Sequence, residues 1–391
     1  MEWEIYEERV KGISAEISGG KLKLIQSSKD TSYAVRVIID GKVGFSAGRT
    51  VEKALENAKK TARISEEKMD SFPNEKPAKV LGIYDKTLEE LKSDFLKEEY
   101  EILVNSVERA TIASAFIMHG VFEVSIRNSS GADLNEKGTF SSFSIETVYG
   151  EGSGFSQCES RNRKLNIAET ALYAEELAIN SSKAVKIESG HYDVVLTPHA
   201  IHQLFSNTLY PSLSAENVSK GRSMLKKGSF LGELRIIDDP TIEGGIESYS
   251  FDDEGVKARR KTLVDRNVLC FYSDWKNSKE FGLTSNGIRA SIDLPPSPMP
   301  SNFLIEIDEK ADLDKALVIQ NFIGSHTANP LSGDFSVECM NAEFDGKAIK
   351  GAMIYGNIFE LLKRLEGFCS ESKQVENTIT PALRFERVRI V

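Results

Sequence analysis

Histidine, cysteine and clustered carboxylates are the side chains that could carry hydrolytic or metal chemistry here, and the first two are scarce. The histidines are His119, His191, His199, His202 and His326. Only His199 and His202 are close neighbours, in His199-Ala200-Ile201-His202. That spacing puts both rings on adjoining parts of one helical face, a possible start for a metal site. A catalytic zinc needs three protein ligands and an open position. The His-Glu-x-x-His pattern also brings a glutamate as general base, but here Ala200 and Ile201 fill the gap. The pair therefore reads first as helix-surface or structural histidines, and as zinc ligands only if a distant third group such as Cys339 or His326 joins them.

Carboxylates gather at Asp238-Asp239 and at Asp252-Asp253-Glu254. Such pairs can bind a divalent cation or do acid–base work. Asp238-Asp239-Pro240 reads better as turn chemistry, because aspartate accepts local backbone hydrogen bonds at loop starts. Asp252-Asp253-Glu254-Gly255 precedes Lys257, Arg259, Arg260 and Lys261, which suggests a solvated ion-pair network. There is no GxxxxGK[ST] phosphate loop and no strand-anchored GxGxxG. Ser129, Ser153 and Ser285 lie near glycines but have no histidine nearby in sequence.

The elements that must position these residues alternate between strand and helix. Val35–Ile39, Asp40-Gly41 and Lys42–Phe45 predict a hairpin. Thr50 is placed to cap a helix with Val51, Ala54, Leu55, Ala58 and Ala62 on one face. Thr87 to Glu90 reads as a capping box opening a helix through Leu91 and Phe95. Phe122, Val124 and Ile126 alternate as in a half-buried strand, and Phe140 to Tyr149 predicts a second. Gly150 to Gly154 reads as a flexible loop, and Asn166 with Glu169 as the start of the next helix. Tyr192–Leu196 predicts a strand, and Thr197-Pro198 a helix start with proline at its first position. From Gly232 the chain is mostly β. Asp345-Gly346 marks a hairpin, and Asn357 caps a late helix bearing Leu361, Leu362, Leu365 and Phe368. The expected fold class is α+β: an N-terminal mixed α/β domain over 1–187, with helices on a sheet, then a β-rich C-terminal domain over 188–391 that a barrel could house.

The chain of 391 residues is long enough for two domains. Its 49 basic and 59 acidic residues give a net charge of −10, which argues against a general nucleic-acid binder. Four cysteines without CxxC spacing read as reduced thiols, not a disulfide framework. The acidic start predicts no signal peptide, and no apolar stretch approaches the ~20 residues of a membrane span. A cytoplasmic location is expected.

Several ordered segments resemble the TldD/TldE (PmbA) family, also called modulators of DNA gyrase. They are Gly41–Phe45 with the helix after Thr50, Ser189–Pro198, Ile237–Pro240 through Phe251–Gly255 to Arg260, Gly324–Pro330 with Gly333–Ser336, and Tyr355–Ile358. The resemblance implies a metalloprotease that degrades or trims unfolded peptides, built from a zinc-bearing TldD-like and a TldE-like subunit. The TldD-like member has an HExxxH motif in the helix after the Val-Val-Leu strand. No HExxxH exists here, and its positions fall near Ser206, Asn207 and Pro211. The expectation is therefore a TldE/PmbA-like subunit with no catalytic residue and no cofactor of its own. Zinc would sit in a TldD-like partner, with a homodimer when the chain is alone and neither nucleic acid nor membrane as partner. Asp252, Asp253, Gly255, His326, Asn329 and Phe335 are its candidate peptide-binding surface. The alternatives are a stand-alone zinc peptidase using His199 and His202, and a non-enzymatic regulator of gyrase.

Overall fold

A computed structural model describes residues 1–391. The N-terminal strands are β1 (Glu2–Ser18), β2 (Lys21–Ile39), β3 (Lys42–Gly48), β4 (Thr111–Asn128), β5 (Asp133–Tyr149) and β6 (Gly152–Ser160). They form one antiparallel sheet in the order β3-β2-β1-β4-β5-β6. Strand side chains alternate between faces, and that parity assigns the two faces of this sheet. Ile13, Ala15 and Ile17 of β1 and Ala115 and Ile117 of β4 pack with Leu96, Leu103, Ala171 and Ala174 of the helices α2 (Ser93–Ser106) and α3 (Ile167–Ser181). Tyr6 and Glu8, Phe122 and Val124 point the other way, into a cleft. Helix α1 (Val51–Ile64) lays Ala54, Ala58 and Ala62 on Val35 and Val37.

These helices sit unusually close to the strands because small residues meet on both sides. A Cβ on Gly44 would stand 2.0 Å from the Ala58 carbonyl oxygen, and one on Gly154 2.0 Å from that of Ala174. The glycine run at 150–154 is therefore not a flexible loop. Gly150 makes the turn, and Gly152 and Gly154 belong to β6 so that α3 can rest on them. Three cap readings also change. Thr50 precedes α1 and Asn166 precedes α3, neither with a side-chain bond to its helix. At Thr87 the Asp85 carboxylate takes both the Thr87 N–H (2.9 Å) and its hydroxyl (2.8 Å), so a short 3-10 turn forms and the α-helix waits until Ser93.

In the C-terminal half two sheets curl as half-barrels around a helix, so the fold class is α+β with a β-rich second part. A ten-stranded mixed sheet contains Gly190–Leu196, and a five-stranded one is built around Phe230–Asp238 and Phe303–Glu306. Val194, Leu196, Leu234, Ile236, Phe303 and Ile305 from the two sheets share one core with Ile201, Leu204 and Phe205 of α4 (Pro198–Phe205). The short strand Val185–Lys186 pairs with Ile349–Lys350 of the C-terminal sheet. The late helix spans only Ile358–Leu362, and Leu365–Phe368 is a strand paired with Leu383–Phe385. The Asp345-Gly346 hairpin forms between Ala342–Phe344 and Lys347–Lys350.

Gly154→Ala is expected to lower unfolding stability by ~1–3 kcal/mol, since the new methyl must push α3 off the sheet. Gly150→Ala, at φ +59° with its nearest neighbour 3.9 Å away, should cost only about 1 kcal/mol. Urea unfolding of the two variants measures the contrast.

Candidate functional site

Between the bare face of the first sheet and the loops of the C-terminal half lies a cleft of about 870 Å³. Its floor is aromatic. Phe122 lies over its cross-strand partner Gly138, and Phe140 over Gly120; a Cβ on either glycine would fall 2.1 or 2.2 Å from the ring. The Arg161 guanidinium stacks 5.4 Å above Phe122. Arg161 donates to the backbone carbonyls of Thr139 (3.1 Å), Gly245 (3.2 Å) and Ser248 (3.1 Å). It thereby ties the first sheet to the 245–248 loop and sets Glu247 at the cleft wall.

Helix α4 supplies another wall. The Thr197 hydroxyl caps it and Pro198 starts it, so His202 and Ser206, one turn apart, both face the cleft. His202 Nδ1 pairs with Thr378 Oγ1 at 2.9 Å, and its Nε2 lies 3.1 Å from Glu376 Oε2. At the opposite end Asp253 accepts from the Arg289 backbone N–H at 2.7 Å and from the Tyr6 hydroxyl at 3.2 Å. The Arg289 guanidinium rests 4.8 Å from the Tyr6 ring centre.

The lining is acidic. Glu8, Glu136, Glu247, Asp253 and Glu376 face two arginines and His202. Burial pushes Glu8, Glu136, Glu247 and Asp253 above the ordinary carboxylate range. Glu159, on the same face of β6, is pushed up to about 7 by burial and by the charges of Glu376 and Glu247. Glu376 moves the other way, because the His202 hydrogen bond favours its charged form. Burial and the neighbouring His202 push His199 down to about 4.

The sequence candidates separate in space. Asp253 lines the cleft. Asp252 does not; it is buried and accepts backbone N–H groups from Glu254, Val256 and Gly287. Gly255, at φ +82°, packs close to Leu134 and Ile126 of the first sheet. His326 sits in an exposed turn and Asn329 in an exposed loop, while Phe335 is buried in the C-terminal core. None of these last three lines the cleft. The 252–254 cluster is also not a solvated network with the basic residues that follow it. Glu254 pairs with Arg36 (2.6 Å), which grips Glu4 through two bonds of 2.8 and 2.9 Å, all buried. Arg259 turns instead to Glu75, Arg260 to Asp239 and Lys261 to Asp238. Asp238 is likewise more than a turn residue, being fully buried and bonded to Asn286 and Ser301. Glu159, Glu247, Glu376, Arg161 and Arg289 were not singled out from the sequence. Only the alternation of Gln157 and Glu159 about Cys158 in β6 could have hinted at the first.

The zinc that the resemblance implies can be tested against the donors present. Both ring nitrogens of His202 are engaged by protein groups. Cys339 is buried in the C-terminal core, and no group of three His, Cys, Asp or Glu side chains converges as a metal site would need. These residues do not fit a catalytic zinc.

Two measurements probe the site. Arg36→Met should destabilise the chain by ~3–5 kcal/mol, because Glu4 and Glu254 would stay buried without their counter-charge. Arg49→Met, which breaks an exposed pair with Asp30, should cost under about 1 kcal/mol in the same urea titration. Glu159 holds its proton more tightly folded than unfolded. Its contribution to stability is therefore present at acid pH and lost as the pH rises towards about 7. Stability measured between pH 5 and pH 8 should fall more steeply in the parent chain than in Glu159→Gln.

Comparison with known proteins agrees with this architecture. The PmbA/TldA metallopeptidase domain 1 matches residues 3–63, the central domain of that family 72–182, and its C-terminal domain 189–391. The chain is 32% identical to the uncharacterized protein MJ0231 of Methanocaldococcus jannaschii, covering 96% of this chain and 92% of that one. It is 26% identical to a metalloprotease of Methanothermobacter thermautotrophicus, covering 90% and 84%. The crystal structure of TldE from Thermococcus kodakarensis superposes with a TM-score of 0.90 at 24% identity, over 100% of this chain and 96% of that one. The protein belongs to the PmbA/TldA metallopeptidase family.

Proposed function

We propose that this chain is the peptide-holding, zinc-free subunit of a TldD/TldE-type metallopeptidase. One observation carries the reading. On α4, just before the Ser206–Pro211 positions where the resemblance expects the metal motif, the cleft-facing His202 is bound by Thr378 and Glu376, and no third ligand converges on it. The cleft can still hold a peptide. Strand β6 ends one sheet and Lys373–Val375 ends another. Both edges border the same small pocket next to the cleft, where Gln157 Nε2 and Glu376 Oε1 lie 3.3 Å apart. An extended chain laid along such an edge is held by main-chain hydrogen bonds, which suits a sequence-tolerant peptidase. The electrophile and its activated water would come from a TldD-like partner, and a homodimer would form when that partner is missing. A cytoplasmic location completes the reading, and no helix is long and apolar enough to cross a membrane.

Purified alone, the chain should carry no stoichiometric zinc by elemental analysis and should not cleave unfolded casein. Activity should appear on mixing with the paralogue recovered by pull-down from the native host. One zinc per chain, lost in His199→Ala/His202→Ala, would overturn the proposal in favour of a stand-alone peptidase.

A further inference from the structure

The cleft opens into a side pocket of about 310 Å³ that shares Phe122, Arg161 and Glu247 with it. Met118, Phe122 and Phe140 give this pocket an apolar wall, and the Glu159 and Glu247 carboxylates border it. Neither carboxylate takes part in any of the ion pairs of the chain. The guanidinium beside them is that of Arg161, three of whose five N–H groups go to backbone carbonyls. Both carboxylates are exposed at the pocket rim, and Glu247 accepts no hydrogen bond from any protein group. The chain thus builds an aromatic slot with two acids at its rim against the single guanidinium of Arg161, which forms an ion pair with neither.

We infer that this pocket receives a lysine or arginine side chain of the bound peptide, its alkyl stem on Phe122 and Phe140 and its charged head between Glu159 and Glu247. The inference rests on the peptide-holding reading and adds a substrate preference to it. Long basic side chains are suited to such a slot, since the methylene stem covers apolar surface while the head keeps polar company. A head group bonded to ionised carboxylates forms strong charge-assisted hydrogen bonds. A metal ion is a poorer occupant, because no third carboxylate or histidine converges there. An acidic side chain is excluded by like charge.

Fluorescence anisotropy of the full-length chain with labelled unstructured peptides, identical except for one central Lys, Gln or Glu, tests this. The Lys peptide should bind about tenfold more tightly than the Gln peptide, and the Glu peptide more weakly than either. The preference should shrink in high salt and fade as the pH is lowered past about 7, where Glu159 takes up a proton. Glu159→Gln/Glu247→Gln should reduce it to within about twofold. Glu338→Gln/Glu343→Gln, an equal loss of charge on exposed strands elsewhere, should leave it intact. Equal binding of all three peptides, or a preference that survives in Glu159→Gln/Glu247→Gln, overturns the pocket assignment alone. If none of the peptides binds, the peptide-holding reading falls and the pocket with it.

Discussion

The guanidinium of Arg36 sets the spacing between the two halves of the chain. It projects from β2 on the bare face of the first sheet, grips Glu4 with two bonds and reaches Glu254 in the C-terminal half with a third. Stripping water from three charges costs several kcal/mol per ion, and only close, multiply bonded geometry offsets it. The rest of the docking loop follows. Glu254 also accepts the Trp275 backbone N–H, Asp252 gathers three more, and Phe251 joins Tyr6, Ala34, Ile126 and Leu134 in a small core. Gly255 closes the loop in a left-handed conformation that a residue with a Cβ would resist. The cleft is the space left between the halves once this contact is made.

The contrast between that contact and the cleft is chemical. At the docking loop every acid meets an arginine or a row of backbone donors. Within the cleft the acids outnumber the cations, and Arg161 gives three of its five N–H groups to backbone carbonyls. Unpaired carboxylates held among one another weaken a fold as they ionise. They are tolerable on a surface that meets an oppositely charged ligand.

Small residues make the close approaches on which this geometry depends. Alanines of α1 and α3 rest on Gly44, Gly152 and Gly154, which brings the helices down to the strand backbone. On the other face, phenylalanines cover cross-strand glycines at Phe122–Gly138 and Phe140–Gly120, and the motif recurs at Phe335–Gly356 in the C-terminal sheet. An aromatic ring laid over a glycine flattens the floor of a cleft without leaving backbone exposed.

Local signals were legible in the sequence wherever neighbouring residues decide the outcome. The Asp40-Gly41 and Asp345-Gly346 hairpins, the Thr197-Pro198 helix start and the alternation at Phe122–Ile126 all depend on contacts within a few positions. So did the absence of a His-Glu-x-x-x-His run. Readings failed where a distant group intervened: Asp85 displaced the Thr87 capping box, α3 turned a glycine-rich stretch into a strand, and Arg36 and Arg289 claimed carboxylates whose nearest cations in sequence lay elsewhere. The candidate site was the least legible part. Glu159, Glu247 and Glu376 come from three separate segments, and each alone is an ordinary acidic residue. The sequence by itself determined the alternation of elements and the missing metal motif, because both are written in short spacings. Only the tertiary structure decided which charges are paired and which stand free, because pairing depends on distance in space and on the exclusion of water.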